Sequence, residues 1–146
     1  MEHFHNIART NVLVVEDDFL IRANAVDIIE EAGFRVDAAS SADEAIRVLE
    51  ERRDVGVVFT DVHMPGSLNG LDLARLVERK WPAMGLIVTS GRATKMDIPC
   101  RAIFLAKPYS SSQLVGKVLA LLEEMADVRC TEIESIDAVM VGLVGQ

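Results

Sequence analysis

The chain is poor in cysteine, proline and aromatic residues. Its 146 residues include two cysteines, four prolines and 5% aromatics. Cys100 and Cys130 fall in no C-x-x-C or zinc-binding spacing, which excludes a disulfide scaffold and fits free thiols in a reducing compartment. Long apolar runs are missing as well. None approaches the ~18 residues that a membrane span needs. Met1–Thr10 has no basic stretch leading into an apolar one, so neither a signal peptide nor membrane insertion is expected, and the reading is of a cytoplasmic protein. Positive charge is in the minority, with 15 Lys and Arg against 23 Asp and Glu and a net charge of −8. Such a field repels phosphate backbones, so direct nucleic-acid binding is not expected. No G-x-G-x-x-G or G-x-x-x-x-G-K follows the first apolar run, which removes dinucleotide-binding and P-loop readings.

What remains is an ordinary globular composition, 50% apolar and 26% charged, in a chain long enough to bury roughly 68–70% of its unfolded surface as one domain. Short apolar runs at Val12–Val15, Val55–Thr60, Leu86–Thr89 and Ile103–Ala106 do not alternate, as expected of strands covered on both faces of a parallel sheet. Arg35–Ala39 reads as a weaker strand nearer an edge. Helix-period segments separate them. Ile21, Ala25, Ile28 and Ala32 form a stripe ended by Gly33. Ser41 and Glu44 form a capping box before Ala45, Ile46 and Leu49. Leu71, Ala74, Leu76 and Val77 give a third helix, stopped at Trp81-Pro82. Ser110 and Gln113 cap a last helix carrying Leu114, Val118, Leu121 and Met125. Gly91–Arg101 has to hold the fourth helix, which Pro99 and the short length make short or irregular. Five strand–helix repeats predict an α/β sandwich around a doubly wound parallel sheet.

The polar residues concentrate at strand ends. Glu16, Asp17 and Asp18 follow the first strand, Asp61 the third, Thr89 and Ser90 the fourth, and Lys107 the fifth. In an open parallel sheet these positions share the carboxyl edge, where ligands bind at a topological switch point. Three crowded carboxylates repel one another, and a hard cation such as Mg²⁺ relieves that repulsion. Lys107 and Thr89 supply a charge and a hydroxyl for phosphoryl oxygens. A carboxylate such as Asp61 can itself be the nucleophile and form an aspartyl phosphate.

These residues carry a family resemblance. Val14-Val15-Glu16-Asp17-Asp18, Thr60-Asp61-Val62-His63-Met64-Pro65, Leu68-Asn69-Gly70, Val88-Thr89-Ser90-Gly91 and Lys107-Pro108-Tyr109 resemble, in order and spacing, the receiver domain of two-component response regulators. The resemblance covers about residues 10–126, leaving 1–9 as an N-terminal extension and 127–146 as a tail. It implies a flavodoxin-like sheet of strand order 2-1-3-4-5 with helices on both faces. By the same resemblance, Asp61 accepts a phosphoryl group from a phosphohistidine. Glu16, Asp17, Asp61 and the backbone carbonyl of His63 hold Mg²⁺. Thr89 is the switch hydroxyl that moves to the phosphoryl group, Lys107 the ion-pair partner of that group, Phe104 the switch aromatic, and Pro108 the cis proline. The His63 side chain stands where the family tunes hydrolysis of the phosphate. Implied partners are a sensor histidine kinase or phosphotransfer protein and a protein output target, with the chain a monomer or weak homodimer.

Two departures bear on output. The Pro65–Gly70 loop is one residue longer than the common M-P-x-x-x-G form, and Lys107 follows Thr89 by only 18 positions, several fewer than usual. The expected function is a stand-alone phosphoacceptor that signals to a protein partner and is not an enzyme. The alternative is a phosphate sink or relay intermediate. A small Mg²⁺-dependent phosphatase is a third reading, weakened because His63 replaces the second acid of such enzymes and the chain has no room for a substrate-covering cap. In the tail, Ile136, Val139, Met140 and Leu143 have helical spacing, compatible with a short amphipathic helix, while Gly142, Gly145 and the acidic residues are equally compatible with disorder.

Overall fold

A computed structural model describes residues 10–91, 98–99 and 101–125. Five strands, β1 (Asn11–Val15), β2 (Arg35–Ala39), β3 (Val55–Asp61), β4 (Gly85–Ser90) and β5 (Ile103–Ala106), form one sheet in the order β2-β1-β3-β4-β5. Every pairing is parallel. The expected fold and strand order are therefore those observed, with Arg35–Ala39 on an edge. Helices α1 (Phe19–Glu31), α2 (Ala42–Glu51) and α3 (Gly70–Lys80) connect the first four strands, and a last described helix occupies residues 111–125. The fourth crossover, with most of residues 92–100, and the tail from residue 126 lie outside the described residues. Among the described residues no helix is long and apolar enough to cross a membrane.

The unbroken apolar strands follow from a core on each face of the sheet. Side chains alternate along a strand, so Leu13, Val15, Val58 and Val88 pack with Ala45, Leu49, Leu73 and Val77 of α2 and α3. Their neighbours Val12, Val14, Phe59 and Ile87 pack on the other side, with Ala25 and Ile29 of α1 and with Leu114, Val118 and Leu121. All five residues of β1 are buried, as its interior position between β2 and β3 requires.

Helix stripes and caps differ in detail from the expected ones. The stripe on α1 runs along Ala25 and Ile29, while Ile21 stays 37% exposed and Ala32 is its C-cap. Ile28 packs half-buried against the same core as expected, and the stripe stops short of Ala32 because that residue already caps the helix. Gly33 follows with a φ of 100°, the left-handed geometry suited to ending a helix. On α3 Ala74 and Val77 are buried as expected, together with Leu73, which the apolar spacing does not single out. Ser41 accepts from the Glu44 amide as expected, but the Glu44 carboxylate turns to the amide and hydroxyl of Ser40, one residue earlier than a capping box requires. Reciprocal boxes close at Asn69/Asp72, a pair not expected from the sequence, and at Ser110/Gln113.

Candidate functional site

Strand register brings the predicted residues together. Val15 of β1 lies opposite Ala39 and Thr60, Asp61 opposite Thr89, and Ser90 opposite Ala106. The ladder continues one step past the strand ends, from the Glu16 amide to the Ala39 carbonyl (3.1 Å), Val62 to Thr89 (3.0 Å) and Lys107 to Ser90 (2.9 Å). The backbone of each functional residue is therefore fixed by the sheet itself.

On this edge the Lys107 ammonium lies 3.0 Å from Glu16 Oε2 and 3.2 Å from Asp61 Oδ2. Glu16 and Asp61 are buried, whereas Asp17 is exposed at the mouth. One carboxylate oxygen from each of the three lies within 4.8 Å of the others. The third acid of the run, Asp18, has a different job. Its side chain accepts from the amides of Leu20 and Ile21 and caps α1. Arg22, one turn into α1, donates to the Glu16 carbonyl at 2.8 Å and the Asp17 carbonyl at 3.4 Å and so holds the backbone of the acid pair. Nothing in the apolar spacing announces this role, although a basic residue in a first helical turn is unfavourably placed against the helix dipole and invites a reason.

Thr89 is 1% exposed, and its hydroxyl has no hydrogen-bond partner among the described residues. A buried hydroxyl left unsatisfied costs about 1–3 kcal/mol, and the sheet register sets this one directly beside Asp61. Phe104 is 37% exposed, its ring turned outward from β5. The His63 side chain is exposed, and its amide lies 3.4 Å from Asp61 Oδ1. The Lys107-Pro108 bond is cis, as expected. Tyr109, next in sequence, packs edge-on against Phe59 with ring centroids 5.6 Å apart.

Gly70 packs its backbone directly against the end of the acceptor strand. A Cβ there would lie 1.7 Å from the Asp61 carbonyl oxygen and 2.8 Å from Val62 Cα. The Gly70 amide donates to the Val62 carbonyl at 2.9 Å. Only a residue without a side chain lets α3 start this close to the end of β3.

Electrostatics bind the cluster. Burial pushes the Glu16 carboxyl up to about 7, with the Asp61 charge adding to the rise and the Lys107 and Asp18 hydrogen bonds opposing it. Burial alone would lower the Lys107 ammonium, but the Glu16 hydrogen bond and the charges of both carboxylates outweigh it, so Lys107 is raised and stays protonated. A folded carboxyl that keeps its proton to a higher pH than the unfolded chain makes folding weaker as pH rises between the two values. Without a divalent cation the protein is expected to lose thermal stability from about pH 4.5 to about 7. Glu16→Gln flattens that slope, and added Mg²⁺ raises the melting temperature most at the upper end, where the carboxylates are ionised. Thermal melts across pH in chelator and in Mg²⁺ check both statements. Three convergent carboxylates are the donor set that a hard oxygen-seeking cation takes, so the residues fit Mg²⁺.

Known proteins are similar to the chain in sequence and fold. The family model described as response regulator receiver domain matches residues 12–119. The chain is 28% identical over 134 residues to an NtrX-like response regulator of Rickettsia bellii, covering 87% of this chain and 27% of that protein. It is 34% identical over 119 residues to the sensor kinase CckA of Brucella abortus, covering 77% and 12%. The chain thus spans about a quarter or less of these curated relatives. Among solved structures, a response regulator receiver protein of Sinorhizobium medicae matches with a TM-score of 0.74 at 28% identity, over 80% of this chain and 97% of that one. With the fold, strand order and acidic edge in agreement, the chain belongs to the response regulator receiver domain family, the phosphoacceptor modules of two-component signalling.

Proposed function

We propose that residues 10–126 act as a phosphorylatable switch in which Asp61 takes a phosphoryl group from the phosphohistidine of a sensor kinase or phosphotransfer protein. The observation that carries this is the contact of Lys107 with both Glu16 and Asp61, next to the unpartnered Thr89 hydroxyl. In the transfer an Asp61 carboxylate oxygen forms the new O–P bond as the N–P bond to the donor imidazole breaks, and the imidazole nitrogen takes the electron pair. Glu16, Asp17, Asp61 and the His63 carbonyl would hold Mg²⁺, which supplies charge neutralisation for the phosphoryl oxygens. Lys107 orients the acceptor and meets the added negative charge. Thr89 then has the acceptor its hydroxyl lacks. Its movement opens the space into which Phe104 turns, biasing an equilibrium between two conformations.

The changed surface is read by a protein partner, since a chain of net charge −8 is ill suited to a phosphate backbone. We infer that the module works in the cytoplasm. Incubation with a small acyl phosphate donor is expected to yield a base-labile protein phosphate only when Mg²⁺ is present. Thr89→Ala should still be labelled but lose the accompanying change in Phe104 environment, read by ¹⁹F or aromatic NMR. Labelling that needs no divalent cation would overturn the assignment. Very fast phosphate loss with no state-dependent partner in pull-downs would favour the sink reading instead.

A further inference from the structure

At the opposite end of the sheet from the phosphoryl site, a groove of about 480 Å³ opens between the C-terminal ends of α2 and α3. Its floor is apolar, made by Leu49, Trp81 and Met84, and its rim is basic, made by Arg52, Arg53 and Lys80 against the single acid Glu50. Lys80 pairs with Glu50 at 2.9 Å and lies 5.2 Å over the Trp81 ring. Arg52 pairs with Asp37 on the outer side. A net-positive, half-apolar groove is out of keeping with a chain of net charge −8, and its volume falls within the ~300–1,000 Å³ of sites that hold ligands.

We propose that this groove is the docking site of the chain's own residues 127–146. Two observations select that occupant. The first is complementarity. Asp127, Glu132, Glu134 and Asp137 against Arg129 give the segment a net charge of −3, and Ile136, Val139, Met140 and Leu143 follow at helical spacing. Acids therefore precede and interleave with an apolar group, as the basic rim and apolar floor require. The second is delivery. Helix 111–125 ends at the same end of the sheet as the groove. A Cβ on Gly85, the first residue of β4, would stand 2.2 Å from Leu121 Cδ2 and 3.2 Å from Met125 Sδ. Met84, one residue earlier, lies on the groove floor. At up to ~3.3–3.6 Å per residue, the six residues 126–131 reach ~20 Å, enough to pass under the sheet edge from one face to the other. Docking in the groove would set the apolar group from Ile136 onward against Trp81.

Trp81 is the only tryptophan, so its fluorescence reports the groove directly in the intact chain. Wild type is expected to show a blue-shifted emission that moves to the red in Ile136→Asp/Met140→Asp, with roughly twofold greater quenching by acrylamide as the shielding apolar group is lost. Arg53→Glu should produce the same red shift at moderate salt, and Arg53→Glu with Glu134→Lys should reverse it, which simple loss of a surface charge would not. Far-UV circular dichroism of each variant guards against unfolding. The proposal is overturned if emission and quenching are unchanged in the tail variant. It is equally overturned if the wild-type signal depends on protein concentration, because the occupant is then a second copy of the chain.

Discussion

Asp61→Asn is expected to abolish phosphoryl labelling altogether, with incorporation from a small acyl phosphate falling to background under conditions that saturate the wild type. An amide oxygen is far less nucleophilic than a carboxylate oxygen, and among the described residues no other buried carboxylate is placed to replace it. Glu16, the nearest candidate, is engaged by Lys107 at 3.0 Å and by the Asp18 amide at 3.2 Å. The loss is of chemistry, not of fold. Asn keeps the shape, Lys107 keeps Glu16, and one member of a like-charged pair is removed, so the variant's melting temperature in chelator should equal or exceed that of the wild type. Its gain in stability on adding Mg²⁺ should shrink, since one of three carboxylates has gone. Equal labelling of the Asn variant would sink the assignment of Asp61. A collapse of the fold would sink the electrostatic account.

A methyl group added at Gly70 is expected to be the most damaging change outside the acceptor itself. Its Cβ would sit 1.7 Å from the Asp61 carbonyl oxygen, a backbone atom that cannot swing aside. Either α3 retreats or the end of β3 does, and overpacking of this kind costs ~1–3 kcal/mol or more. That corresponds to a fall of roughly 10 °C in melting temperature for a domain of this size. Mg²⁺ affinity and labelling rate should fall with it, because the displaced atoms carry the Asp61 side chain. Gly116→Ala is the matched contrast. Gly116 is exposed on helix 111–125 with nothing within 4 Å of an added methyl, so the same chemical change should stabilise by ~0.5–1 kcal/mol. Differential scanning calorimetry of the two variants should move in opposite directions.

Strands are legible in this sequence because a sheet with a core on both faces leaves little freedom in where apolar residues go. Arg35–Ala39 and Ile103–Ala106 have the bounds expected of them, and β3 and β4 gain only flanking residues. Glu16, Asp17, Asp61, Thr89 and Lys107 are legible together since each ends a strand and the register does the rest. Less legible is whatever depends on how one backbone approaches another. The contact at Gly70, the reach of Arg22 over the Glu16 carbonyl, and the turn of Glu44 toward Ser40 leave no periodic trace. Helical stripes are blurred for a related reason: α1 has too many apolar residues for one face, so Phe19 and Leu20 stay 69% and 75% exposed and the pattern does not say which ones win.

The ion pair between Glu16 and Lys107 joins positions 91 residues apart, just beyond the first and last strands. Neither strand touches the other, since β3 and β4 lie between them. No local segment, hairpin or half-sheet can therefore make the site, and a chain emerging from synthesis has its acids exposed long before their lysine exists. Contacts of such sequence separation form late in folding. On the proposed reading, only a completely folded chain could take up phosphate, because the groups that would receive it meet only once the whole sheet is in place.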